Sequence, residues 1–127
     1  METFLSNLLI VEDNSFIRNN IFNAVKDIKN IENILQTEFL HEAISYLNET
    51  DFELIILDLK LPDGNGLNLL KMLKEKKSKV SVFVFSVSVE LKKTCLKYGA
   101  CTFYDTSQDF DKMIAAINKV YKNESLF

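Results

Sequence analysis

Short runs of apolar residues alternate five times along this chain with stretches in which apolar residues recur every three or four positions. A continuous run is typical of a strand buried on both faces, and the wider spacing is typical of a helix with one apolar side. Neighbouring parallel strands need crossover connections, which helices usually supply. The pattern therefore predicts an α/β fold with one parallel sheet and helices on both faces. The strands are predicted at residues 8–11, 34–39, 54–57, 80–85 and 101–104.

The signals for the helix boundaries are uneven. Asn14 or Ser15 is a favourable N-cap for the first helix, because a short polar side chain can accept a hydrogen bond from the first turn. Residues 62–64, Pro-Asp-Gly, are typical of a turn before the third helix. The helix predicted over residues 89–98 is poorly marked, whereas residues 110–121 have the clearest apolar face.

The composition is that of one ordinary globular domain. The chain has 127 residues, of which 47% are hydrophobic and 26% charged, and no stretch rich in Pro, Gly or Ser separates two parts. We therefore expect a single domain over residues 1–127. The net charge of −3 argues against a nucleic-acid-binding surface, and the lysine-rich run at residues 71–79 is expected to be a solvated helix face.

The two cysteines, Cys95 and Cys101, match neither a zinc site nor a disulfide framework. Both are expected to be buried thiols in a reducing compartment. The N-terminus has no positively charged segment, and no apolar run approaches the roughly 18 residues that a membrane helix needs. These features predict a cytoplasmic protein that does not contact membranes.

Polar residues follow three of the predicted strands. Glu12 and Asp13 come after the first strand, Asp58 after the third and Ser86 after the fourth. The carboxyl ends of parallel strands meet at one edge of a sheet, where ligands commonly bind. If the first and third strands are neighbours, the three carboxylates converge, and their mutual repulsion favours a bound cation. Mg²⁺ prefers oxygen ligands, so the sequence predicts a magnesium site at this edge.

Asp58 is the best placed of these residues to act as a nucleophile. With a cation neutralising the cluster, its carboxylate could attack a phosphoryl group and form an aspartyl phosphate. The Ser86 hydroxyl could then donate a hydrogen bond to a phosphoryl oxygen. The alternative is that acids and hydroxyls after strands only cap the following helices. For any single residue, capping and phosphoryl-transfer chemistry explain the position about equally well. Capping is the weaker explanation for four residues that follow three different strands.

Several motifs together resemble those of the receiver domains of two-component response regulators. The acid pair lies in LLIVEDNSFIR, Asp58 lies in LIILDLKLPDGNG with Pro62 and Gly66 at the family's spacing, and the fourth-strand hydroxyl ends VFVFS. Gly99 and Ala100 before CTFY match the family's entry to the fifth strand. The resemblance covers essentially the whole chain. It implies a flavodoxin-like (βα)5 fold of the CheY-like superfamily, with strand order 2-1-3-4-5.

The resemblance also implies what the acid residues do. Asp58 is phosphorylated by a sensor histidine kinase or a phosphotransfer protein. Asp13, Asp58 and the backbone carbonyl of Lys60 are direct Mg²⁺ ligands, and Glu12 acts mainly through water. Catalysis is confined to the domain's own phosphorylation and dephosphorylation.

Two further residues take the family's switching roles. Ser86 is the hydroxyl that moves toward the phosphoryl group, and Phe103 is the aromatic that turns inward when it does. A downstream protein partner is expected to bind through the region between Val89 and Tyr121. No output domain is expected, and a homodimer is left open.

One position departs from the family. Thr106 stands where family members usually carry a lysine, whose ammonium pairs with the acid cluster and the phosphoryl group. A hydrogen bond to a charged group contributes about 1.5 to 3 kcal/mol, so its loss predicts weaker phosphoryl retention or weaker coupling to the output face. Lys60 is a weak candidate to replace this charge. The departure also motivates a second hypothesis, a pseudo-receiver that binds partners without being phosphorylated.

A phosphohydrolase with an aspartyl intermediate is a third hypothesis. Such enzymes usually carry a second acid two residues after the nucleophile, where this chain has Lys60, so this hypothesis ranks last. His41, the only histidine, is expected to be an exposed residue at the start of the second helix.

Overall fold

The computed structural model describes residues 6–122, in which five helices pack against a sheet of five strands. The strands are β1 (Ser6–Val11), β2 (Ile31–Thr37), β3 (Leu54–Leu57), β4 (Ser81–Ser86) and β5 (Thr102–Asp105). The helices are α1 (Ser15–Val25), α2 (Leu40–Glu49), α3 (Leu67–Glu75), α4 (Lys92–Lys97) and α5 (Phe110–Tyr121). No helix within these residues is long and apolar enough to cross a membrane.

The sheet has the strand order β2-β1-β3-β4-β5, and every pairing is parallel. This order confirms the doubly wound, flavodoxin-like fold that the motifs implied. The chain leaves β1 first toward β2 on one side and later toward β3 on the other. The crevice beyond the carboxyl ends of β1 and β3 is therefore the topological switch point of the sheet.

Each face of the sheet has its own apolar core, which explains the continuously apolar strands. On β1, Leu8 and Ile10 pack with α1 and α5, whereas Leu9 and Val11 pack with α2, α3 and α4. All four residues of β3 are likewise buried. A strand covered on both faces has no solvent-facing position, so its sequence cannot alternate between apolar and polar residues.

The end of β2 differs from the sequence prediction. The strand was predicted at residues 34–39, but it spans Ile31–Thr37. The Thr37 hydroxyl accepts a hydrogen bond from the Phe39 N–H (3.0 Å) and donates one to the Glu42 carboxylate. This local turn ends the strand before Phe39, which becomes the residue that precedes α2.

The poorly marked segment at residues 89–98 forms a 3-10 turn, Val89–Leu91, followed by an α4 of only six residues. Cys95 is the one fully buried side chain of α4, so the segment has too few apolar positions to set up a clear pattern. Cys101 is exposed at the bend before β5, so the prediction that both thiols are buried was wrong. In α1, the Asn14 side chain accepts from the Ile17 N–H (3.0 Å) and is the N-cap.

The turn at residues 62–64 belongs to a small antiparallel hairpin, residues 60–65, that docks on the start of α2. The Asp63 carboxylate accepts hydrogen bonds from the backbone N–H groups of Leu40 (2.7 Å) and His41 (2.9 Å). These amides have no partner within the helix. The exposed His41 ring also lies 2.6 Å from Asp63. Asp63 thus caps α2 from a loop 22 residues further along the chain.

The capping contacts predict an acid-dependent contribution of Asp63 to stability. The pKa of Asp63 is lowered to about 2, chiefly by the hydrogen bond from the His41 backbone and then by those from the His41 ring and Leu40. An unfolded aspartate titrates near about 3.9. The stabilisation is therefore complete above about pH 4 and is lost as the pH falls toward 2.

We expect Asp63→Asn to lower the urea midpoint of unfolding at pH 6, with the deficit relative to the parent shrinking between about pH 4 and 2. Asp27→Asn, which removes an exposed carboxylate at the end of α1, is the matched control. A deficit that does not change with pH would show that the charge of Asp63 is not what stabilises α2.

Candidate functional site

The register between β1 and β3 brings the predicted acids together. Val11 lies opposite Leu57, and the Asp58 N–H donates to the Val11 carbonyl (2.9 Å). The next residues, Glu12 and Asp58, therefore leave adjacent strands side by side. The condition on which convergence depended, that the first and third strands are neighbours, is met.

Glu12 and Asp58 share a hydrogen bond in a poorly solvated position. Glu12 is 4% exposed, and burial raises its pKa to about 8, with the charge of Asp58 and the hydrogen bond to it adding to the effect. Burial also raises the pKa of Asp58, while the hydrogen bonds from Glu12 and from the Leu59 N–H (2.8 Å) oppose that rise. Two carboxyl groups this close and this poorly solvated favour sharing one proton when no cation is bound.

A cavity of about 180 Å³ opens above this pair. The exposed Asp13 borders it, as do Lys60 from the hairpin and Thr106 from the loop after β5. The full lining is Glu12, Asp13, Asn14, Ile17, Asp58, Lys60, Val87 and Thr106. The three predicted carboxylates thus face one solvent-connected space.

Ser86 and Phe103 do not line this cavity. Ser86 is fully buried, and its hydroxyl oxygen accepts a hydrogen bond from the Ser88 N–H (3.1 Å). Phe103 is 6% exposed and belongs to the core between the sheet and α2, α3 and α4. Tyr104 packs on the opposite face against Phe83, so both neighbouring aromatics are at least partly covered.

The loop after β5, in which Thr106 stands at the position of the family's lysine, is held together by hydrogen bonds among its own residues. The Asp105 carboxylate accepts hydrogen bonds from the Ser107 N–H (2.9 Å), the Ser107 hydroxyl (2.8 Å) and the Gln108 amide (3.1 Å). Its own N–H donates to Asp109 (2.9 Å), and the hydrogen bonds, led by the one from the Ser107 backbone, lower the pKa of Asp105. Thr106 at the centre of this loop supplies no positive charge to the cavity.

Arg18 holds the loop that carries Glu12 and Asp13, and the sequence did not predict this role. Its guanidinium donates to the backbone carbonyls of Glu12 (2.7 Å) and Asp13 (3.4 Å) and lies 4.0 Å from the Glu38 carboxylate. Arg18 thereby links the loop after β1 to the loop after β2. The only sequence signal for this contact was the position of Arg18 in EDNSFIR, in the first turn of the helix that follows the acid pair.

Gly66 fixes the backbone at Asp58. Its N–H donates to the Leu59 carbonyl (2.7 Å), and its Cα packs so closely on the Asp58 carbonyl that any Cβ would overlap that oxygen. Asp58 itself is followed by the hairpin and not by a helix. The capping alternative therefore does not describe Asp58.

The donor set fits a hard divalent cation. Carboxylate oxygens and a backbone carbonyl are the ligands that Mg²⁺ prefers, and a bound cation would offset the repulsion between the Glu12 and Asp58 carboxylates. Within residues 6–122 no three His, Cys, Asp or Glu side chains form a ready-made ligand cluster. Mg²⁺ commonly keeps several waters and needs only one or two carboxylates, so this arrangement remains compatible with it.

Known proteins match the chain over most of its length. A model of the response regulator receiver domain matches residues 8–118. The transcriptional regulatory protein MalR of Bacillus subtilis is 29% identical over 124 residues, which cover 95% of this chain and 52% of MalR. The cell cycle response regulator CtrA of Brucella ovis is 29% identical over 117 residues, 91% of this chain and 50% of CtrA. The chain spans about half the length of these curated relatives.

Solved structures give the same fold. The signal receiver domain of a protein described as a Luxo repressor from Vibrio parahaemolyticus has a TM-score of 0.82 and 27% identity, covering 92% of this chain and 90% of that one. The response regulator TrrA of Thermotoga maritima, solved with Mg²⁺ and BeF, has a TM-score of 0.79 and 20% identity, covering 91% and 99%.

The retained proton predicts a pH-dependent stability in the absence of divalent cations. Because the folded pKa of Glu12 lies above its unfolded value of 4.5, folding retains a proton between these values and the protein loses stability as the pH rises through them. Glu12→Gln should flatten this decline, since glutamine can donate the same hydrogen bond at every pH. Urea unfolding between about pH 5 and 8 measures the slope.

Glu49→Gln, which neutralises an exposed acid at the end of α2, is the control and should leave the decline unchanged. Equal slopes in the parent and Glu12→Gln would contradict the shared proton.

Proposed function

The chain belongs to the response regulator receiver domain family, and we propose that Asp58 is the residue on which it accepts a phosphoryl group. Phosphorylation-dependent signalling is the function of this family. One observation carries the assignment to Asp58. The pairing of β1 with β3 sets its carboxyl group against Glu12 and beside Asp13, at the mouth of a solvent-connected cavity.

The transfer requires one Asp58 oxygen to attack phosphorus. A bond forms between that oxygen and phosphorus while the bond from phosphorus to the donor breaks, and the donor leaves with the bonding electron pair. For a phosphohistidine donor the broken bond is P–N, and imidazole is the leaving group. The hydrogen bond between Glu12 and Asp58 supports this role because it favours the charged form of Asp58 and opposes the rise in its pKa that burial causes.

We assign the protein ligands of Mg²⁺ to Asp13, Asp58 and the backbone carbonyl of Lys60, with Glu12 acting through water. When bound, the ion would neutralise the carboxylates and the phosphoryl oxygens. The TrrA complex with Mg²⁺ and BeF supports a divalent ion in this family. Lys60 is the cationic side chain that lines the cavity within the described part of the chain, so its ammonium is the group available to stand in for the missing lysine.

Ser86 and Phe103 are proposed as the switch residues. To reach a phosphoryl oxygen, the Ser86 hydroxyl must give up the hydrogen bond that it accepts from the Ser88 N–H. The Ser86 carbonyl accepts from the Thr106 N–H (3.1 Å), so a shift of Ser86 pulls on the loop after β5. Phe103, three residues before Thr106, is buried and holds β5 against the core.

A sensor histidine kinase or a phosphotransfer protein is the proposed phosphodonor, in the cytoplasm. The region between Val89 and Tyr121 is the proposed surface for a downstream protein partner. It is composed of the short α4, β5 and α5, and α4 is anchored by a single buried residue, so little packing opposes its displacement.

The first test is phosphate incorporation from a small-molecule donor. Incubation with acetyl phosphate and Mg²⁺ should add one phosphoryl group to the parent, measured by intact mass, and Asp58→Asn should abolish the addition because the amide is not a nucleophile. Asp27→Asn is the matched control and should be labelled like the parent. Incorporation that survives in Asp58→Asn would refute the assignment.

The pseudo-receiver alternative, motivated by Thr106, makes the opposite prediction for the same experiment. A parent that takes up no phosphoryl group, and whose partner binding is unchanged by Mg²⁺ or by Asp58→Asn, would support it.

The second test restores the missing charge with Thr106→Lys. An ammonium that pairs with the phosphoryl group should slow its loss from Asp58 by roughly ten-fold, the equivalent of about 1.4 kcal/mol. The decay of the phosphorylated mass after removal of the donor measures this rate. Ala115→Lys adds the same charge on the exposed face of α5 and should change nothing. Identical decay in Thr106→Lys and the parent would show that the lysine is dispensable here.

A further inference from the structure

Positive charge is concentrated in little more than a quarter of this acidic chain. Residues 67–101 contain eight of the 15 basic residues but only two of the 18 acids, Glu75 and Glu90. This segment therefore carries a net charge of +6 in a chain whose total is −3, and the remaining residues carry −9. All eight lysines are exposed, and none forms an ion pair with a residue between 6 and 122.

The fold brings lysines from two helices to one place. The Nζ atoms of Lys71 on α3 and Lys97 on α4 lie 5.1 and 5.9 Å from the centre of the Tyr98 ring, within the range of a cation–π contact. Lys74 and Lys77 border a cavity of about 220 Å³ at the ends of α3 and α4. We call Lys71, Lys74, Lys77 and Lys97 the lysine rim.

The floor of this cavity is apolar. Leu73, Val80 and Val82 line it together with the Tyr98 ring. Lysines that border an apolar floor, with two more beside the Tyr98 ring, suit a ligand that presents an apolar side chain next to negative charges. The phosphates of a nucleic acid would engage the rim but would gain nothing from the valine and leucine side chains.

The backbone at Lys77 supplies independent support. Lys77 has φ +55°, in the left-handed region, and follows α3 at the position where helices usually end on glycine. The Ser78 N–H donates to the Leu73 carbonyl (3.0 Å), which completes this C-terminal motif. Glycine would adopt the conformation more easily than lysine does. Lysine here keeps a charged side chain at the cavity at a conformational cost, and such costs concentrate at functional sites.

We propose that the lysine rim and its apolar floor form a docking site for an acidic segment of a partner protein that inserts one apolar side chain. The site lies on α3 and the end of α4, mostly outside the surface between Val89 and Tyr121. An acidic peptide would relieve the repulsion between the rim lysines and cover the exposed edge of the floor. Its attraction to the rim is independent of phosphorylation at Asp58.

The probe is a short fluorescent peptide of alternating glutamate and aspartate with a central phenylalanine, titrated with the full chain. Binding should weaken steeply with added salt. Lys71→Gln, Lys74→Gln and Lys77→Gln combined should weaken it by about ten-fold or more. Lys26→Gln, Lys29→Gln and Lys112→Gln combined remove the same net charge from exposed positions elsewhere and should weaken it by less than about three-fold.

Lys77→Gly separates binding from folding. Because glycine suits the left-handed backbone, this variant should unfold at the same or a higher temperature than the parent and still bind the peptide several-fold more weakly.

Four outcomes would overturn the proposal. Equal losses in the two triple variants, or no peptide binding by the parent, would show that the rim is not a site. Binding of single-stranded DNA as tight as that of the peptide, or equal binding of a peptide with serine in place of phenylalanine, would show a general polyanion surface without an apolar pocket.

Discussion

The contact between Glu12 and Asp58 is the interaction on which the rest of the site depends. It exists because β1 and β3 pair in parallel with Val11 opposite Leu57, so the residues that follow leave the sheet together. Two carboxyl groups so close in a buried position cannot both ionise without a nearby cation. The fold therefore concentrates negative charge at its switch point, and a divalent cation would neutralise that charge.

Different interactions stabilise the loops at the carboxyl ends of the strands. Arg18 donates to the carbonyls of the acid loop. Asp63 anchors the hairpin after β3 to α2, and Gly66 admits a close backbone approach beneath Asp58. The loop after β5 instead satisfies its polar groups internally, through Asp105 and its neighbours. This last loop is closed by its own hydrogen bonds and does not offer the charge that the family usually places there.

Much of the architecture follows from local pattern. The five apolar runs, the N-cap at Asn14 and the amphipathic α5 could be read because each depends on residues near one another in the chain. The prediction was wrong at the end of β2, where the hydrogen bonds of the Thr37 side chain end the strand early, and at Cys101, which is exposed. The capping of α2 by Asp63 left no local signal, because helix and cap are separated by more than 20 residues.

The sequence by itself determined the alternating strands and helices, the acids that follow the strands and the absence of lysine at Thr106. These depend on residue type and on spacing along one chain. Only the tertiary structure decided that Glu12 and Asp58 share a hydrogen bond in a poorly solvated position, that Ser86 is buried outside the lining of the cavity, and that Lys74 and Lys77 border an apolar floor. Burial, hydrogen-bond geometry and charge density arise between distant segments, so they exist only once the sheet has set those segments side by side.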